Sequence, residues 1–410
     1  MDASIRDATR PRRRGGPPSP SNRLRIALVH DWLTGMRGGE KCLEVLCRAF
    51  PESEVHTLIH RRGALSPAIE GMAIRTSPLQ RIPGITRHYR KLLPAMPMAS
   101  RSWRVGDVDL VVSLSHCVAK AVRVPKGVPH VCYCFTPMRY AWDGRDAYLD
   151  AWRDKPVKRA LAAFVLDRLR SWDRRTASGV THFVAISETV RTRIARCYGR
   201  TSRLIAPPVD TDFYRPDESR RDGGYLVVSA LVPYKRVEQA VEACSRSGRR
   251  LTVIGEGTER PRLRRAAGPS VTFLGWQSDE AIRAHYRSAR ALLFPGEEDF
   301  GIVPVEAMAC GCPVIALGRG GVAENVDARV GRLYDEPTAE GLLAAIEAWE
   351  ADGSPHDPVE ARRRAEALAL PVFRSRMLAL LDEVAGRVGS IPAPHIAGPR
   401  IRAAEAVPHG

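Results

Sequence analysis

Strand-like apolar runs alternate with helix-period stretches twice along this chain, and one proline- and aspartate-rich break divides the two series. "LRIALVHDWL" is a near-continuous apolar run, the pattern of a parallel strand covered on both faces. Gly38 and Gly39 then precede "EKCLEVLCRAF", whose apolar residues recur at helical spacing. "VHTLIH" (55–60), "DLVVSLS" (109–115), "HVCYCF" (130–135) and "THFVAIS" (181–187) read as further strands. After "IAPPVDTDFYRPDESRRDGG" the alternation restarts with "YLVVSA", "LTVIG", "VTFLG", "ALLFP" and "PVIAL". This pattern implies two doubly wound, Rossmann-like α/β domains. Ligands of such sheets bind beyond the carboxyl ends of the strands, so two of them facing each other make a central cleft.

The expected organisation is a disordered basic tail over 1–23, a first domain over 24–205 and a linker over 206–223. A second domain follows over 224–357, then helices over 358–390 and an unstructured tail over 391–410. Of the formal charge of +17, part sits in "RPRRRGGPPSPSNR" and the rest is spread over the body. A basic balance suits nucleic acid, an anionic membrane face or a phosphorylated ligand. No ribonucleoprotein-type motif supports nucleic acid, and no G-x-G-x-x-G follows the first strand, which argues against a nicotinamide-linked oxidoreductase. The nine cysteines, Cys132/Cys134 and Cys310/Cys312 among them, lack zinc-site spacing and are expected to be reduced, buried thiols. No apolar run approaches the roughly 20 residues of a membrane span, and the amino end lacks a signal-like apolar core, so a cytoplasmic protein is expected.

The most informative stretch is "FPGEEDFGIVPVEAMACGCPVIA", residues 294–316. A strand ends, an acidic loop follows, and Pro304 suits the first turn of a short helix that Gly311 ends. The helix start is a ready anion site, where Phe300, Gly301 and Ile302 present backbone amides. Glu298 on the loop and Glu306 in the helix can point into one cleft; in isolation such residues could equally serve the helix dipole.

The longer string "FPGEEDFGIVPVEAMACGCPVIALGRGGVAENV" (294–326) resembles the signature of glycosyltransferase family 4, retaining transferases of the two-domain GT-B fold. The likeness is closest to bacterial polysaccharide and lipopolysaccharide mannosyltransferase-like members, and it covers residues 24 to about 385. It implies that Glu298 lies at the donor sugar in a catalytic role and that Glu306 holds the nucleotide ribose; carboxylates accept strongly from neighbouring hydroxyls. It further implies that Gly38 and Gly39 face the donor diphosphate, with Lys235 gripping it, and that Gly320 and Gly321 lie in a loop closing round the donor. Where relatives carry an arginine just after the first strand of the second domain, this chain has Ala230; Arg236 is the candidate replacement. "YCFTPMRYAWD" departs from the relatives' "YCHTPMRYAWD", so Phe135 stands where a histidine serves the sugar and acceptor. A phenyl ring makes no hydrogen bond, and His116 is the candidate substitute. Arg139 and Asp143 fall on the acceptor side, where an Arg–Asp structural pair is the plainer alternative. Backbone near Gly275 and Trp276 is expected to hold the base.

No D-x-D follows an apolar strand as metal-dependent transferases use one, so neither metal nor cofactor is expected. The reading is a retaining hexosyltransferase moving mannose from GDP-mannose to a polysaccharide or lipid-linked glycan. The alternative is a degenerate member that binds sugar nucleotide with little transfer. Two basic, partly apolar stretches, 77–104 and 155–175, suit peripheral contact with an anionic membrane, although solvated helix faces explain them equally well.

Overall fold

The computed structural model describes residues 24–150, 152–218 and 221–386. Both expected tails lie outside the described residues. In the first domain β1 (Ile26–His30), β2 (Glu54–Thr57), β3 (Ala73–Thr76), β4 (Leu110–Ser115), β5 (His130–Cys134), β6 (His182–Ala185) and β7 (Ser202–Leu204) form one sheet. Its order is β3-β2-β1-β4-β5-β6-β7, and every pairing is parallel. In the second domain β8 (Tyr225–Val228), β9 (Leu251–Ile254), β10 (Val271–Gly275), β11 (Ala291–Phe294), β12 (Val314–Leu317) and β13 (Gly331–Tyr334) form another. Their order is β10-β9-β8-β11-β12-β13, again parallel throughout.

The central strands are buried along their whole length, as IALVH in β1 and VIAL in β12 show. That is why they read as unbroken apolar runs rather than as alternation. The strand order reverses beside the first strand of each sheet, between β1 and β4 and between β8 and β11. Loops leaving such neighbours diverge to opposite faces and open a crevice. The four segments after β1, β4, β8 and β11 carry Gly38 and Gly39, His116, Lys235, and Glu298 respectively.

The stretch between the domains is anchored rather than free. Val209 and Tyr214 are buried, and Val209 exchanges backbone hydrogen bonds with Leu368 and Leu370. The helix Pro358–Glu366 packs on the helix Ile302–Ala309. The last helix, Leu370–Val384, returns to the first domain, where Phe373 meets Tyr133 edge-on at 5.6 Å and Glu383 pairs with Arg203. All nine cysteines are buried free thiols.

Candidate active site

On the second-domain wall the acidic loop after β11 is pinned by its backbone. Gly321 N donates to Glu298 O at 2.8 Å, and Glu298 forms a parallel bridge with Gly320. Gly320 has φ 72°, and a Cβ there would stand 2.3 Å from Glu298 O; one on Gly321 would stand 2.5 Å from Asp299 O. These two glycines let one loop lie against the backbone of the other. The Glu298 carboxylate accepts from Lys235 Nζ, which arrives from the turn Pro233–Lys235 after β8. Arg236 follows in the left-handed region (φ 51°), and its buried Nη1 has no partner among the described residues. Ala230 is exposed and offers no charge.

The helix Ile302–Ala309 starts at Gly301, itself left-handed at φ 84°. Phe300 is buried in the core, and Ile302 reaches across the cleft towards Gly38, where a Cβ would lie 3.8 Å from Ile302 Cδ1. Glu306 is buried inside this helix. It accepts from Tyr286 Oη at 3.4 Å and from Lys41 Nζ, of the opposite domain, at 3.2 Å. Burial pushes its pKa up, and Lys41 pulls the other way. Burial works against the charge on Lys41 too, yet Glu306 and Asp279 outweigh it and hold that amine above the usual lysine value.

On the first-domain wall Gly38 and Gly39 form the first turn of the helix Gly38–Ala49, instead of preceding it as expected. Neither needs a positive φ. Gly39 serves close approach, since a Cβ there would sit 3.2 Å from the Phe135 ring and 3.4 Å from His30 Nε2. Phe135, His30 and His116 form a triangle of rings with centroids 6.2–6.4 Å apart. His116 therefore does border the space beside Phe135. Its Nδ1 lies 3.0 Å from Asp31 Oδ2, and its ring stands edge-on to Trp32 at 4.4 Å.

Arg139 and Asp143 do not pair with each other. Arg139 donates to Asp299 of the second domain at 2.6 Å, over the ring of Tyr234, while Asp143 pairs with Arg193 and Arg196. Arg193 also reaches Asp299. Beside this cluster Glu324 accepts from the amides of Glu188 and Thr189, both at 2.8 Å, capping the first-domain helix Glu188–Tyr198 from the second domain. The acidic loop is thus tied to the first domain as well as to the cleft. Trp276 is 75% exposed beside the left-handed Gly275. The sequence reading passed over Lys41, Asp31 and Arg193. Asp31 lies in the first apolar run and Lys41 two residues after the glycine pair, so both stood in stretches that reading had singled out; Arg193 did not.

Two facing parallel sheets with a crevice between them, and carboxylates on one of its walls, make the GT-B fold. The model for Glycosyltransferase Family 4 matches residues 36–213, and that for Glycosyl transferases group 1 matches residues 211–367. The chain belongs to glycosyltransferase family 4. It is similar to the GDP-mannose-dependent alpha-(1-6)-phosphatidylinositol monomannoside mannosyltransferase of Mycobacterium tuberculosis, with 31% identity over 43% of this chain and 54% of the relative. The enzyme of the same description from Mycolicibacterium smegmatis is 28% identical over 52% of this chain and 64% of its own length. The matched part therefore spans between half and two thirds of these relatives. Among solved structures, sucrose-phosphate synthase from Thermosynechococcus elongatus superposes with a TM-score of 0.66 at 19% identity, over 89% of this chain and all of the other. Anabaena HepE in complex with UDP and glucose gives a TM-score of 0.61 at 17% identity, over 88% of this chain and all of HepE. These two carry the fold.

Proposed function

We propose that the protein is a retaining mannosyltransferase that moves mannose from GDP-mannose to a hydroxyl of a polysaccharide or lipid-linked glycan. The observation that carries this reading is Glu306, a buried carboxylate in the helix facing the first-domain glycine turn and already paired with a cation from that domain. A ribose diol entering the cleft is the natural replacement for that cation, because it donates two hydrogen bonds without adding charge. Glu298, eight residues earlier, is the group that meets the hexose. The relatives' dependence on GDP-mannose supports the donor.

Charge gathers on the diphosphate as the glycosidic bond breaks. In this reading Lys235, Arg236 and the amides at the start of the helix Ile302–Ala309 take up that charge, and we assign no divalent ion to the reaction. The acceptor hydroxyl attacks on the face the diphosphate leaves and gives its proton to a phosphate oxygen of the departing GDP, and catalysis rests on positioning. Screening UDP-, GDP- and ADP-sugars for hydrolysis and transfer tests the reading, with EDTA in a parallel arm. Turnover of GDP-mannose that survives EDTA and is lost in Glu298→Ala is expected; full activity in that variant contradicts the site.

One observation favours a second reading, a sugar-nucleotide binder with little transfer. Phe135 fills the strand end against Gly39, where a hydrogen-bonding side chain would otherwise stand. Recovery of transfer in Phe135→His with Ala230→Arg, from an inactive parent, would establish it.

No described helix is long and apolar enough to cross a membrane. The helix Pro156–Thr176 nevertheless leaves Val157 and Phe164 82% and 57% exposed, with Leu161 between them and lysines and arginines alongside. That composition suits a peripheral position on an anionic inner membrane face, where a lipid-linked acceptor would be met. Co-sedimentation with phosphatidylglycerol vesicles, lost in Phe164→Glu, is the expected result; retention in that variant would remove this surface from the reading.

A further inference from the structure

Asp31 follows β1 directly and is fully buried. Its carboxylate accepts from four successive backbone amides of the turn after β4: His116 and Cys117 on Oδ2 at 2.7 and 3.0 Å, Val118 and Ala119 on Oδ1 at 2.5 and 2.7 Å. The same Oδ2 lies 3.0 Å from the Nδ1 of His116. Both oxygens of this carboxylate already serve as acceptors for amides, so at the Nδ1–Oδ2 contact the ring nitrogen is the donor and Nδ1 carries the proton. The other ring nitrogen, Nε2, then holds a bare lone pair. The His116 side chain is 30% exposed, and Nε2 has no partner among the described residues. The groups facing this ring are Asp31, Arg37, Arg139, His30 and, from the second domain, Asp299, which sets the imidazole on the cleft side of the sheet.

We infer that Asp31 and His116 form a carboxylate–imidazole dyad in which Asp31 fixes the tautomer and orientation of His116, whose Nε2 accepts a hydrogen bond from a sugar hydroxyl in the cleft. This rests on the glycosyltransferase reading above. Asp31 is a positioning residue, and His116 is the group that touches substrate. Burial, with Arg37 and Arg139, lowers the His116 pKa against the pull of Asp31 and Asp299, which keeps the ring neutral near pH 7. His30 is set the same way, with Nδ1 donating to Trp32 O at 3.0 Å, but its Nε2 is sealed under Gly39 and has no exposure. Of the two imidazoles beside Phe135, only His116 is open to a ligand. A histidine from the β4 end, held by a carboxylate from the β1 end, thus supplies the nitrogen that Phe135 lacks at the end of β5.

Nitrogen-15 NMR of the histidine-labelled full chain, with the His116 signal assigned by its loss in His116→Gln, reads the tautomer directly. Protonated Nδ1 and bare Nε2 at pH 7.5 is expected; a proton on Nε2 overturns the dyad. This readout is made on the parent chain, needs His116→Gln only for the assignment and does not depend on the identity of the donor, so a failure to turn over GDP-mannose would be a separate result. In kinetics, His116→Gln and Asp31→Asn should each lower kcat at least about tenfold, and their double variant should fall no further than His116→Gln alone. Independent, multiplying losses would show that Asp31 acts only through the turn and would overturn its positioning role. Loss of donor hydrolysis together with transfer assigns the hydroxyl to the donor hexose; loss of transfer alone assigns it to the acceptor.

Discussion

Lys41 Nζ lies 3.2 Å from Glu306 Oε1, and the two residues belong to opposite walls of the cleft. Glu306 is nearly fully buried, and among the described residues Lys41 is the first-domain cation paired with it. Lys41→Met leaves it uncompensated. The unpaired acid then takes up a proton more readily in the folded than in the unfolded state, so its cost appears as pH rises above the ordinary carboxylate range. Thermal denaturation should show a loss of about 1–2 kcal/mol at pH 8 and less at pH 5, because Lys41 itself is one-third exposed.

Glu306→Gln keeps the shape and removes the charge. Calorimetry should find GDP bound roughly 10- to 100-fold more weakly, the worth of charge-assisted bonds to a diol. Unchanged affinity would mean that the ribose does not meet this helix.

Glu298 pairs with Lys235 across the loop that closes the second-domain wall. Glu298→Ala should lower transfer by at least about 100-fold while leaving GDP binding within a few-fold, because the loop backbone is held independently by Gly321. Lys235→Met should weaken both, since its charge serves the diphosphate in the ground state too. Steady-state kinetics beside calorimetry separates the two.

Glu40 sits in the same helix turn as Lys41 but points inward. Burial pushes its carboxyl up to about 7, against the pull of Arg37. The folded chain therefore keeps a proton there that the unfolded chain sheds earlier, and stability falls as pH rises from about 4.5 to 7, then levels. Glu40→Gln should be more stable than the parent at pH 8, by about 3 kcal/mol, and equal to it at pH 4. Melting curves at the two values decide it.

Gly320 is left-handed, and a Cβ would meet Glu298 O at 2.3 Å. Gly320→Ala should destabilise the second domain by about 1–3 kcal/mol and raise the KM for donor, because the acidic loop must move to admit a methyl group. Full retention of both would mean that the bridge is not needed for the loop's position.

The two-domain architecture was legible because fully buried parallel strands such as IALVH and VIAL leave unbroken apolar runs. The edge strands β3, β7 and β13 were not. They span three or four residues, and the first two are largely exposed, so their sequences carry polar groups that read as loop. The glycine pair, the acidic loop and Lys235 could be picked out because each follows a strong strand within a few residues. The resemblance put Arg139 and Asp143 on the acceptor side, yet their partners, Asp299 and Arg193, lie 160 and 50 positions away.

Local sequence determined which segments become strands and helices, and it set Glu298 and Glu306 on one short loop-helix unit, since both follow from hydrophobic period and backbone capping over a few residues. Only the tertiary structure decided that Lys41 answers Glu306, that Asp31 receives four amides and a histidine from another strand's end, and that Phe135 closes over Gly39. Those contacts depend on strand order and on how two sheets face each other, and burial turns each of them from a surface charge or ring into a constraint on chemistry.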